Sequence, residues 1–255
     1  MSLIIAELSR ILHRRATWML VVVGLALTAI PSLFLVGTDA EGGIPADGLM
    51  LSCGLIGSFL CLCLGATYWG ADFRHGTISS LLLFVPSRTR LWVARTLALA
   101  LASMGMMLIV AGHPVLRILL RHATVMAASG TAGVLPMLVR VLVLGVVSGL
   151  AGGFLGIVFK NTAGAVLVPL GALMVRWLLT DVVVEHAVWM VRFLPDTYVS
   201  ALLQGETTVP WRVDASGELM NITVTYPEAL GGTTLLLTLL GVLSWALFRY
   251  RSVTE

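Results

Sequence analysis

The sequence predicts an all-α polytopic membrane protein with six transmembrane helices, an interfacial helix at the N-terminal side and a short cytoplasmic helix between two spans. Three observations carry this. First, 58% of the 255 residues are hydrophobic and 11% are charged, where soluble domains carry about 25% charged residues. Second, the apolar residues gather in long runs, at 17–36, 51–70, 91–111, 138–158, 164–180 and 233–248. A helix rising about 1.5 Å per residue needs about 20 residues to cross a hydrocarbon core of about 30 Å. Third, bases and acids segregate into alternate connections.

Ahead of the first run, Leu3, Ile4, Ile5, Leu8, Ile11 and Leu12 recur at helical spacing among Arg10, Arg14 and Arg15. Residues 1–16 therefore read as an interfacial helix, with a frayed basic flank as the alternative. Glu7 and this basic approach, with no Ala-x-Ala site before a polar mature domain, argue against a removable signal peptide. In the second run, Cys53, Cys61 and Cys63 have no neighbouring His or acid. They read as small packing residues rather than a metal or redox site. In the fourth run, Gly145, Gly149 and Gly153 recur every fourth residue, the pattern of a helix-packing face.

Charge sets the orientation. With both ends inside, segments 1–16, 71–95, 159–163 and 249–255 hold ten bases against three acids, a net of +7. Segment 37–50 carries −3, and 181–232, with seven acids against Arg192 and Arg212, carries −5. Short basic connections resist translocation, so the N and C termini are expected in the cytoplasm and the protein in the cell inner (plasma) membrane. Segment 112–136, with Arg117 and Arg121 and no acid, runs against the pattern. It fits a short interfacial helix over 113–122, or a rival topology with one span fewer. The extracytoplasmic segment 181–232 is expected to hold two partial helices, over 182–191 and 193–203, then strand pairing through 207–213 and 222–225. Asn221-Ile222-Thr223 matches a glycosylation acceptor by coincidence.

No catalytic, cofactor-binding or metal-binding constellation emerges. A Gly-x-x-x-x-Gly-Lys-[Ser/Thr] loop is missing, the only lysine is Lys160, and the His-Glu-x-x-His pattern is absent. The hydrocarbon core reads as nearly free of ionisable groups, against an intramembrane enzyme and against an ion-coupled secondary transporter. Energy for any transport would come from outside the chain. A secondary transporter or channel, or a non-transporting structural subunit, stays open as the alternative.

The connection at 71–90 is the most ordered polar segment. Asp72 is expected to cap a helix start, Gly76 to allow a tight turn and Thr77 to cap a second helix. Ile78, Leu81, Leu82 and Val85 then form an apolar face, and Pro86 ends it. The product is a short amphipathic helix tied at both ends to spans, fit either to receive a soluble partner or to rest on lipid.

Asp72-Phe73-Arg74-His75-Gly76-Thr77, Leu81-Leu82, Pro86-Ser87-Arg88 and Arg95 together resemble the first cytoplasmic loop of bacterial type-2 ABC exporter permeases. That family commonly reads Glu-Phe-Arg-x-Gly-Thr, two hydrophobics, Pro-x-Arg and a basic residue; here Asp72 replaces Glu and Arg95 replaces Lys. Phe193-Leu194-Pro195 is similar to the family's Leu-Pro element before the last span. The resemblance implies a single permease domain over 1–255, paired with a second permease subunit, identical or related, in a bilayer of membrane lipids. It also implies a cytoplasmic ABC ATPase dimer as partner, which would bind ATP and Mg; this chain would hold no cofactor, hydrolyse nothing and contact no nucleic acid. Asp72, Arg74, Gly76, Thr77, Leu81 and Pro86 would form the coupling element, with Arg88 anchoring the loop.

Overall fold

The computed structural model describes residues 3–35, 46–84, 87–121, 134–186, 192, 194–213 and 219–250. The order is α1 (Leu3–Leu12), α2 (Arg15–Leu35), α3 (Ala46–Arg74), α4 (Thr77–Phe84), α5 (Arg88–Arg121), α6 (Val134–Phe159), α7 (Thr162–His186), α8 (Pro195–Gln204), β1 (Glu206–Val213), β2 (Leu219–Thr225) and α9 (Tyr226–Tyr250). Each apolar run lies in one of these helices, apart from Val36, which is outside the described residues. Among the described residues, four helices are long and apolar enough to cross a membrane: Leu51–Arg74, Arg88–His113, Pro136–Phe159 and Tyr226–Tyr250. A fifth candidate arises if α1 and α2, bent by 61° at their junction, are taken together. The protein is thus a polytopic, largely α-helical membrane protein with four to five candidate spans. The remaining apolar stretch, Thr162–Val175, is shorter, and Arg176, Asp181 and Glu185 dilute the rest of α7.

Two compact units divide the chain. The first holds residues 1–166 and 240–255, the second 167–239. In the first, α3 packs along α6 at backbone contact distance. Leu62 is so close that a Cβ on Gly152 would sit 2.8 Å from its carbonyl carbon, and one on Gly65 would lie 2.6 Å from the Gly153 nitrogen. Without a hydrophobic drive between helices in lipid, such small-residue approach is what dispersion and helix association require. Gly145 faces Met107 of α5, Gly149 faces Ser103, and Gly153 faces Leu99 and Trp69. Cys53 and Cys61 are buried and Cys63 half-buried, all unpaired thiols. Among the described residues no group of three His, Cys, Asp or Glu gathers around a common point.

In the second unit, Gly205 ends α8 with φ 94° and donates its N–H to the Ala201 carbonyl at 2.8 Å. A left-handed glycine there turns the chain directly into β1. The two strands pair antiparallel, from Glu206 opposite Thr225 to Val213 opposite Leu219, with an irregularity between Pro210 and Arg212. Leu202, Leu203, Val209 and Val224 are buried, and Glu228 accepts the Thr225 N–H at 3.2 Å where α9 begins.

Two expectations change. The separate short helix over 113–122 is instead the continuation of α5, whose 34 residues extend about 51 Å; His122 lies outside the described residues. The expected partial helix over 182–191 is, as far as His186, the end of α7.

Candidate functional site

The connection between α3 and α5 is shorter than its charge pattern implied. α3 runs to Arg74 and α5 starts at Arg88, so Asp72 and Arg95 lie within helices that qualify as spans. Asp72 is therefore not a helix cap. It sits in the last turn of α3, 3% exposed, where a carboxylate is disfavoured by the helix dipole and needs strong partners.

It has three. Arg10 on α1, Arg14 just past its end and Arg95 on α5 all donate to the Asp72 carboxylate, Arg10 at 2.9 Å. One turn earlier, the Tyr68 hydroxyl donates to Glu7 of α1. The Tyr68 carbonyl accepts from Arg95 at 3.1 Å and from Arg14 at 3.5 Å. Glu7 lies 3.6 Å from both Arg10 and Arg95. Arg95 is fully buried, with its guanidinium 4.3 Å from the Tyr68 ring centroid and 4.1 Å from that of Trp69. A planar, weakly hydrated guanidinium suits this place, since it can stack and donate in several directions where an ammonium cannot. Three arginines and two carboxylates thus join α1, α3 and α5 into one base.

Below that base the chain turns. His75 and Gly76 donate their N–H groups to the Ala71 and Phe73 carbonyls at 2.9 and 3.2 Å. Gly76 has φ 65°, a left-handed conformation that closes α3 and costs a residue with a Cβ about 1–2 kcal/mol. α4 follows at once. Ile78 is fully buried and holds one side of it, whereas Leu83 and Phe84 are 83% and 85% exposed. Arg74, His75 and Gly76 are exposed, Thr77 and Leu81 half-buried. Val85 and Pro86 lie outside the described residues. Arg88 donates to the Phe248 and Arg249 carbonyls at 3.3 and 3.2 Å, so it ties the start of α5 to the end of α9. There Phe248 packs edge-on to Trp69 and Phe73, with centroids 5.5 and 6.3 Å away.

The structure therefore gathers Asp72 with residues that sequence reasoning did not place in a site: Glu7, Arg10, Arg14, Tyr68, Trp69 and Arg95. Arg74 and Gly76 form the exposed turn beside it, and Thr77 and Leu81 lie on α4. Gly145, Gly149 and Gly153 lie along α6, apart from the charge cluster. α4 is joined to the last turn of α3 through His75 and Gly76, and the buried ion pairs tie that turn to α1 and α5. Comparison of the chain with protein-family models and with curated proteins gives no match to either.

Proposed function

We propose that the chain is the transmembrane permease subunit of an ATP-driven ABC exporter of the type-2 kind, working with a separate ATPase dimer and a second permease subunit. On this reading it has six spans as one permease domain, both termini cytoplasmic, in a bacterial inner membrane. Its cargo would be lipophilic, peptide or lipid-like. The observation that supports the reading is the short helix α4: it stands between two long apolar helices, anchored by Ile78 and ending in the exposed pair Leu83 and Phe84. An apolar tip of this kind is what a soluble partner can grip. The motif begins in the last turn of α3 at Asp72 and ends inside α5 at Arg95, and the ion cluster that joins these two residues gives a push on α4 a stiff path into the helices. ATP and Mg belong to the partner on this reading.

The test is charge reversal at Arg74 combined with bulk at Gly76, as Arg74→Glu with Gly76→Val. In the reconstituted complex the pair should abolish substrate-stimulated ATPase activity while membrane insertion stays intact. Coupling at the wild-type level would contradict the assigned role.

A further inference from the structure

The elbow between α1 and α2 carries a groove that the transport reading does not use. His13, Arg15, Trp18, Met19, Val22 and Val23 line an open groove of about 460 Å³. Arg15, Trp18, Met19, Val22 and Val23 fall at i, i+3, i+4, i+7 and i+8, so they share one helix face. That face runs from a cationic end to an apolar end over about 12 Å. All six side chains are exposed.

The elbow itself is built. Thr17 Oγ1 and Trp18 Nε1 each donate at 2.7 Å, to the Ile11 and Leu12 carbonyls at the end of α1. The indole is thereby held as a fixed wall of the groove. His13 Nδ1 is engaged with the Ser9 carbonyl at 2.8 Å, which holds the ring in place. The nearby carboxylates, Glu7 and Asp72, are committed to Arg10, Arg14 and Arg95. No acid among the described residues pairs with Arg15.

We propose that this groove binds an anionic phospholipid, its phosphate on Arg15 and an acyl chain along Trp18, Met19, Val22 and Val23. Charge complementarity selects the occupant. A guanidinium forks onto phosphate oxygens, a tryptophan belongs at the head-group level, and the apolar stripe continues in the direction an acyl chain takes. A second copy of the chain seated here by twofold symmetry would set each basic end near its own image without an acid to neutralise it. The proposal stands whether or not the chain couples to an ATPase.

The test uses the full-length protein, delipidated in detergent and titrated with dioleoylphosphatidylglycerol or dioleoylphosphatidylcholine, with bound lipid counted by native mass spectrometry. The phosphatidylglycerol adduct should form at several-fold lower lipid concentration. Arg15→Gln should weaken it about fivefold, the worth of one interfacial basic residue, without changing phosphatidylcholine binding, and Arg15→Lys should restore most of the loss. Val22→Trp keeps the Arg15 charge, fills the apolar floor and should weaken phosphatidylglycerol similarly, which covers the case of an Arg15 variant that fails to insert. Equal binding of the two lipids overturns the proposal, as does undiminished phosphatidylglycerol binding by Val22→Trp. So does efficient Met19→Cys cross-linking between copies in phosphatidylglycerol vesicles, which would show a second chain on this face.

Discussion

Arg95, wholly buried on α5, donates to the carboxylate of Asp72 in the last turn of α3. The pair lies where the short helix α4 leaves the bundle, and Arg10 on α1 and Arg14 at the elbow after it close on the same carboxylate. A carboxylate held by three guanidinium groups fixes three helices at one point. Its loss is costly because Arg14 is left without a counter-charge and Arg10 and Arg95 keep only Glu7, at 3.6 Å.

Breaking this pair from either side should therefore destabilise the protein strongly. Asp72→Ala is expected to cost about 3–5 kcal/mol, the range for a buried charge stripped of its partner. Arg95→Lys should also lose stability despite keeping its charge, because an ammonium cannot lie over Tyr68 and Trp69 while also donating to the Tyr68 carbonyl and Asp72. Unfolding of the purified variants in detergent measures both. A loss below about 1 kcal/mol for Asp72→Ala, within the range of an exposed pair, would contradict the stapling role.

The close approach of α3 to α6 gives a second contrast. A Cβ on Gly65 would meet the backbone of Gly149 and Gly153, whereas one on Gly105 meets nothing within 4 Å. Backbone cannot yield as a side chain does, so Gly65→Ala should lose at least about 1–3 kcal/mol. Gly105→Ala should be neutral or gain up to about 1 kcal/mol from helix propensity. The same unfolding measurement, run on both, decides it.

At the turn into α4, Gly76→Ala should act locally. The left-handed φ of 65° makes a Cβ cost about 1–2 kcal/mol, and the site is exposed, so the strain is released by loosening the turn rather than the bundle. Hydrogen exchange should quicken over residues 75–84 with little change in α3 above Tyr68. Unchanged exchange in α4 would show that the turn tolerates a side chain.

The helices were legible because their signal is local. Long apolar runs name them, Gly76 marks the turn, and the alternation in 207–213 and 222–225 marks the hairpin. The ion cluster was not legible, because its pairings join residues 62 and 58 positions apart. Glu7 reads as part of the polar face of an amphipathic helix. Arg95, close after Arg88 and Arg90, reads as a basic flank until the early start of α5 carries it inside. A signal was present in the spacing: Glu7 and Arg10 share one face of α1, Arg14 follows at helical spacing, and Tyr68 and Asp72 are one turn apart on α3. Periodicity shows such faces but not which two will meet.

The exposed pair at the end of α4 separates docking from stability. Leu83→Ser with Phe84→Ser removes apolar surface that the fold does not bury, so unfolding should shift by no more than about 0.5 kcal/mol. Binding of a soluble partner through α4 should fall at least tenfold, the effect of losing an anchor worth about 1.4 kcal/mol or more. Pull-down of the wild-type and double-variant proteins from the same membranes reads this directly.

The central claim, that this chain is moved by an ATPase it does not contain, is tested most directly by purifying it from native membranes in mild detergent and measuring Mg-dependent ATP hydrolysis by the complex. The expected result is a co-purifying ATPase whose activity is recovered with the wild-type chain and lost with the Leu83→Ser, Phe84→Ser variant. A chain that purifies without any ATPase and supports ATP-independent flux in vesicles would contradict it.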